Sequence, residues 1–138
     1  GRLNILIGAK TPGDMLYKYE LEKYMEIPDS KVLLSVDKPS YQWIHHVGYV
    51  TDLIDYIDVD YRNSCVYICG PEVMMKNAVV KLLEKRFRED SIYLSIERRL
   101  RCGVGICGTC QFGHYFTCLD GPVFRYDQIS RYLWIEGV

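Results

Sequence analysis

Apolar positions in the first two thirds of the chain alternate between strand-like runs and helical spacing. Leu3 to Ile7 is an apolar run closed by Gly8, and the TPGD that follows shortly after predicts a turn launching a helix over about Met15 to Met25. Lys31 to Val36 predicts a second strand, and Val50, Leu53, Ile54 and Ile57 then recur at helical spacing. Cys65 to Cys69 reads as a buried third strand. Pro71 opens a long amphipathic helix to about Phe87, with Val73, Met74, Asn77, Val80, Lys81 and Glu84 distributed around its faces. Ile92 to Ile96 is the fourth strand. Strands separated by helices predict an α/β fold with an open parallel sheet of nucleotide-binding type over residues 1–97. After Glu97 the pattern changes to glycine and cysteine, so residues 98–138 read as a small subdomain and tail. In that tail a GP turn precedes an aromatic run, Tyr132 to Ile135, expected to pack back on the domain or on a partner.

Composition narrows the partners more than the fold. The chain has 138 residues, of which 49% are hydrophobic, enough for the core of one ordinary domain. A net charge of −1 argues against nucleic acid as the main partner, and the twelve tyrosines lie beside no basic stripe on which bases would stack. The sequence contains neither a signal-peptide pattern nor an apolar membrane span, so a cytoplasmic chain is expected.

Cysteine spacing carries the strongest chemical signal. Cys102, Cys107, Cys110 and Cys118 lie in RCGVGICGTCQFGHYFTC, a C-x4-C-x2-C order with a fourth cysteine downstream, which is the plant-type iron–sulfur spacing. These four are the expected ligands of a [2Fe–2S] cluster. Gly103, Gly105 and Gly108 allow a short loop to fold closely around it and to aim amide N–H groups at its sulfurs. Disulfides and structural zinc are the competing readings. A chain that stays in the cytoplasm rarely holds disulfides, and four-cysteine zinc sites usually use two separated C-x2-C pairs where this segment has one. Cys65 fits a buried, inert thiol. His45 and His46 are expected to be loop residues, because Rieske-type ligation needs differently spaced Cys-x-His pairs.

A second motif supplies the resemblance. Cys69-Gly70-Pro71-Glu72, with Met74 and Met75, resembles the CGP-x-x-M motif in the pyridine-nucleotide domain of the ferredoxin–NADP reductase family. GAKTPGDMLYKYEL and SVDKPSYQWIHHVGYVTDLI resemble the second strand with its helix and the adenosine-side loop of the same domain. Together with ERRLRCGVGICGTCQ and YFTCLDGPVF, the chain resembles the iron–sulfur flavoprotein subunits of that family from about Leu3 to Ile129. These include the flavoprotein subunit of anaerobic sulfite reductase, the sulfhydrogenase gamma subunit and the electron-transfer subunit of dihydroorotate dehydrogenase B. The seven-residue gap between Cys110 and Cys118 looks closer to the first two.

The resemblance implies an electron-transfer subunit that relays electrons between NAD(P)H, a flavin and a catalytic partner, a reductase, hydrogenase or dehydrogenase, through the cluster. The flavin barrel and the GG-x-G phosphate loop of such subunits are missing from this sequence. FAD is therefore expected on residues outside it or on another chain, and the parallel sheet is expected to lack its first strand. Cys69 is placed near the nicotinamide ring, the alternative being a small hydrophobe that ends a strand. Gly70, Pro71 and Glu72 surround it, and Gly8 and Lys10 face the adenosine end. Asp37 favours NAD(H) over NADP(H) by accepting from ribose hydroxyls, while Lys38 beside it tolerates a phosphate. Arg98, Arg99 and Arg101 either offset the charge of the cluster, dock a partner or are simply solvated. Two rival functions remain at this point: a non-enzymatic zinc or iron–sulfur interaction module, and a free-standing ferredoxin-like carrier.

Overall fold

The structure is a computed structural model that describes residues 1–135. It divides into two compact units, residues 1–58 and 59–138. Each is built around a strand–helix–strand repeat.

In the first unit, β1 (Leu3–Ala9) runs parallel to β2 (Ser30–Val36) over seven paired residues, from Leu3 with Ser30 to Ala9 with Val36. Helix α1 (Lys18–Met25) connects them, preceded by a single 3-10 turn at Pro12–Asp14, so the helix starts later than the spacing predicts. The TPGD segment explains this: Thr11 is extended, and its hydroxyl donates to the Asp14 carboxylate at 2.7 Å, which closes a turn in place of the helix. The short β3 (His46–Val47) extends the sheet beside β2. His46 is thus a strand residue, while His45 packs edge-on against Trp43 in the loop before it. Val50–Tyr56 winds as a 3-10 helix that buries Leu53 and Ile54, using the apolar positions expected of an α-helix. Gly8 is required by this packing, since a Cβ there would lie 2.6 Å from the Cβ of Val50.

In the second unit, β4 (Val66–Cys69) runs parallel to β5 (Ile92–Ser95), joined by α2 (Glu72–Glu84). Pro71 stands at the helix N-cap and Glu72 in its first turn, where the dipole favours an acid. The buried stripe of α2 is Met75, Ala78, Val79 and Leu82, spaced as one helical face, whereas Val73 and Val80 face solvent. Each large side chain of that stripe contributes roughly 1.5–3 kcal/mol of apolar burial. Cys65 and Cys69 are both exposed, which corrects the expectation of a buried strand with an inert Cys65: only Ile68 of this strand is buried.

The cluster segment belongs to this second unit rather than standing apart. After the irregular stretch that holds Cys102 and Cys107 come β6 (Gln111–Phe112), β7 (Tyr115–Phe116) and the one-turn α3 (Thr117–Asp120). Then β8 (Val123–Arg125) pairs antiparallel with β5, and α4 (Tyr126–Leu133) buries Tyr126, Ile129 and Leu133 on one face. The tail therefore packs back through α4, while Trp134 and Ile135 are exposed. The expected single parallel sheet is divided: β1–β2–β3 forms one sheet, and β4–β5–β8 another of mixed direction. Among the described residues β1 and β4 each stand at a sheet edge. No helix among them is long and apolar enough to cross a membrane.

Candidate functional site

The cluster loop is shaped by backbone contacts that the cysteine spacing alone does not show. Thr117 donates to the carbonyl of Cys110 twice, from its amide at 3.1 Å and its hydroxyl at 3.0 Å, which brings the segment carrying Cys118 against Cys110. Cys110 is buried and Cys118 half-buried, whereas Cys102 and Cys107 are exposed. Gly105 has φ +72°, a left-handed conformation that favours glycine, and a Cβ there would push the Leu119 side chain of α3 aside.

The four thiols meet as two pairs, Cys102 with Cys107 and Cys110 with Cys118, each within hydrogen-bonding reach. Among the described residues no three potential ligands converge on one point as a single metal ion would require. Amide N–H groups are aimed at the sulfurs: Val104, at 3.5 Å, Cys107 and Ile106 at Cys102, Thr109 at Cys107, and Gly105 at Cys118. Those donors, Val104 foremost, hold the Cys102 thiol below its usual range. The Thr109 side chain, 3.3 Å from the Cys107 sulfur, leads the interactions that bring Cys107 down to about 6. Cys118 is pushed up, first by its hydrogen bond with Cys110 and then by desolvation. Two thiol pairs under a canopy of N–H donors suit an anionic two-iron cluster, in which each tetrahedral iron takes two thiolates. Cys102, Cys107, Cys110 and Cys118 are the residues that would hold it.

The second part of the site lies where β4 ends. Gly70, at φ +153°, turns the chain from Cys69 into α2, and a Cβ on it would lie 2.7 Å from the Met74 methyl. This turn borders a cleft of about 530 Å³ whose lining also includes Ser95, Arg98, Gly103, Cys118 and Pro122. Cys69, expected near the nicotinamide, and Cys118, expected on the cluster, thus face one space. A smaller cavity of about 190 Å³ adjoins Gly70, Pro71, Glu72, Arg98, Phe112 and Leu133.

Sequence reasoning did not find the pairing of Glu72 with Arg98, whose atoms approach to 3.8 Å, nor the seat of Arg98 over the Phe112 ring at 4.7 Å. The motif letters do not carry that signal. Arg99 and Arg101 are exposed. In the first unit, Lys10, Asp37 and Lys38 do come together at the carboxyl ends of β1 and β2: the Asp37 amide donates to Ala9 at 3.1 Å and the Lys38 amide to Lys10 at 2.9 Å. All three side chains are exposed. This is the edge at which ligands bind in open α/β sheets.

Comparison with known proteins agrees with these two halves. A profile described as an oxidoreductase NAD-binding domain matches residues 1–80, and one described as the iron–sulfur cluster binding domain of dihydroorotate dehydrogenase B matches residues 97–130. The gamma subunit of sulfhydrogenase 2 from Pyrococcus furiosus is 33% identical over 91% of this chain and 49% of its own length. A probable dihydroorotate dehydrogenase B (NAD(+)) electron transfer subunit from the same organism is 32% identical over 91% of the chain and 45% of that protein. The chain thus spans about half the length of the curated relatives it matches. A solved NADH-dependent reduced ferredoxin-NADP oxidoreductase superposes with a TM-score of 0.62 at 25% identity, over 96% of this chain and 47% of that one.

Proposed function

The chain belongs to the oxidoreductase NAD-binding domain family and carries the iron–sulfur cluster binding domain of dihydroorotate dehydrogenase B, and on that ground we propose that it is the electron-transfer part of an oxidoreductase complex. In this reading it relays electrons between NAD(P)H, a flavin held outside these residues and a catalytic partner of the reductase, hydrogenase or dehydrogenase kind. One observation carries the proposal: the CGP turn and Cys118, the expected cluster ligand, line the same cleft, which supports a reading in which nicotinamide and cluster share one space. A bound [2Fe–2S] cluster would supply one-electron transfer, which neither the nicotinamide nor any side chain here provides.

The residues of the chain bind and orient. Gly70 and Pro71 leave room for a flat ring beside Cys69, and the amides over Cys102, Cys107 and Cys118 stabilise thiolate. We assign the adenosine end to Lys10, Asp37 and Lys38, with Asp37 favouring NAD(H). Residues 1–97 act as the nucleotide part and 98–138 as the cluster part, although packing divides the chain earlier, at 58/59. The cytoplasmic assignment belongs to the same proposal. Iron and acid-labile sulfide in equal amounts, with visible colour, are expected of the isolated protein. One zinc and no sulfide would overturn the relay and leave an interaction module.

A further inference from the structure

Arg98 lies between the two halves of the site, and its contacts reach both. It lines the cleft shared by Cys69 and Cys118 and also the smaller cavity beside Glu72. Its side chain is 22% exposed. One guanidinium nitrogen donates to the Glu97 carbonyl at 2.9 Å and approaches the Glu72 carboxylate at 3.8 Å, while the guanidinium carbon sits 4.7 Å above the ring of Phe112. Phe112 is almost wholly buried, packs against Phe124 and Tyr132, and follows the cluster ligand Cys110 by two residues. Glu72 is itself fixed by Lys76, one helical turn on, at 2.8 Å. The carboxylate is half-exposed, so the ion pair adds little stability. Its geometry nevertheless suits arginine, whose planar group can lie flat on an aromatic face while an edge nitrogen reaches a carboxylate.

We propose that Glu72 is a positioning residue that holds the Arg98 cation over the ring of Phe112, beside the segment that carries Cys110, and so sets the reduction potential of the cluster bound there. In this role Glu72 acts on the cluster through Arg98 and not by contact with it. The last residue of the CGP-Glu motif thereby reports to the cluster loop, an effect outside its expected nucleotide contacts. The inference rests on the cluster reading above.

The test is a potentiometric titration of the full-length, cluster-loaded protein followed by its visible and electron paramagnetic resonance signals. Arg98→Met removes a cation seated on Phe112 beside the cluster segment and should lower the midpoint potential, reducing the ratio of reduced to oxidised cluster at a fixed potential by about tenfold. Arg98→Lys keeps the charge, and with it cluster loading, but loses the stack on Phe112, and should give an intermediate shift. Glu72→Gln separates positioning from simple Coulomb interaction. Removing a negative charge by itself raises the potential, whereas letting the Arg98 guanidinium shift on the Phe112 ring toward its remaining partners, the Glu97 carbonyl among them, lowers it, so a fall is expected. In the Arg98→Met background the same substitution should no longer lower it. An equal rise in both backgrounds, or a cluster whose potential ignores Arg98, overturns the positioning role alone. Absence of iron and sulfide from the native protein overturns both this role and the relay.

Discussion

The two compact units share a strand–helix–strand plan and differ in how it is finished. Among the described residues the first buries five apolar side chains, Met15, Leu21, Val36, Leu53 and Ile54, and much of what packs around Met15, Leu21 and Val36 is only half-buried. The second buries fifteen, because β8 and α4 return to cover β5 with Phe124, Tyr126, Ile129 and Leu133. The first unit ends its strands in exposed charged residues, Lys10, Asp37 and Lys38. The second ends them in a cleft lined by Cys69 and Cys118. A nucleotide's polar end can be met by exposed groups on a thin scaffold, whereas ligands that must keep fixed positions around an anionic cluster need a rigid shell behind them.

Substitutions at the ligands should break this contrast most completely. Cys110→Ser should abolish iron and sulfide incorporation, while amide exchange in β1 and β2 stays at its native rate; loss of protection there would mean that the first unit depends on the cluster. Next come the cores. Leu82→Ala should cost about 3–4 kcal/mol by urea unfolding and Leu21→Ala about 2, since the neighbours of Leu21 can relax. Equal costs would erase the distinction between a dense and a thin core.

Gly105→Ala combines a left-handed φ with a collision against Leu119, and should cost roughly 1–3 kcal/mol, read as faster loss of the cluster's colour on warming. In the first unit, Asp37→Ser should improve the NADPH to NADH ratio of kcat/KM in the complete enzyme by about tenfold, leaving the cluster spectrum alone. The smallest effect concerns the metal-free chain. Cys107 is held near 6 by Thr109, so it should be alkylated at neutral pH before Cys118, whose thiol is raised. Because the folded value of Cys107 lies below the unfolded one, its contribution to stability is complete above about 9 and fades as the pH falls through about 6. Thr109→Val should weaken both the selectivity and that pH dependence.

Much of the first unit and the nucleotide half of the second was legible in the sequence, because apolar runs and helical spacing are local signals: β1, β2, β4, α2 and β5 all fall within a few residues of the expected ranges. The helix expected from Met15 was shortened by a turn that Thr11 and Asp14 close between themselves, and which face of α2 is buried, that of Met75, Ala78, Val79 and Leu82, was decided by the packing. The tail was the least legible. Its strand β8 has three residues, too few for periodicity to speak, and it forms only because β5 offers an edge for Phe124 to cover.

Cysteine identity and spacing, the CGP turn and the alternation of strands with helices are covalent or near-neighbour properties, and they could be read from the chain before it was folded. Which thiols pair, which amides face their sulfurs, and the meeting of Cys69 with Cys118 in one cleft emerged only with the folded molecule. So did the seat of Arg98 between Glu72 and Phe112. Each of these joins residues whose approach depends on how α2, β5 and the cluster segment pack together, which no local pattern encodes.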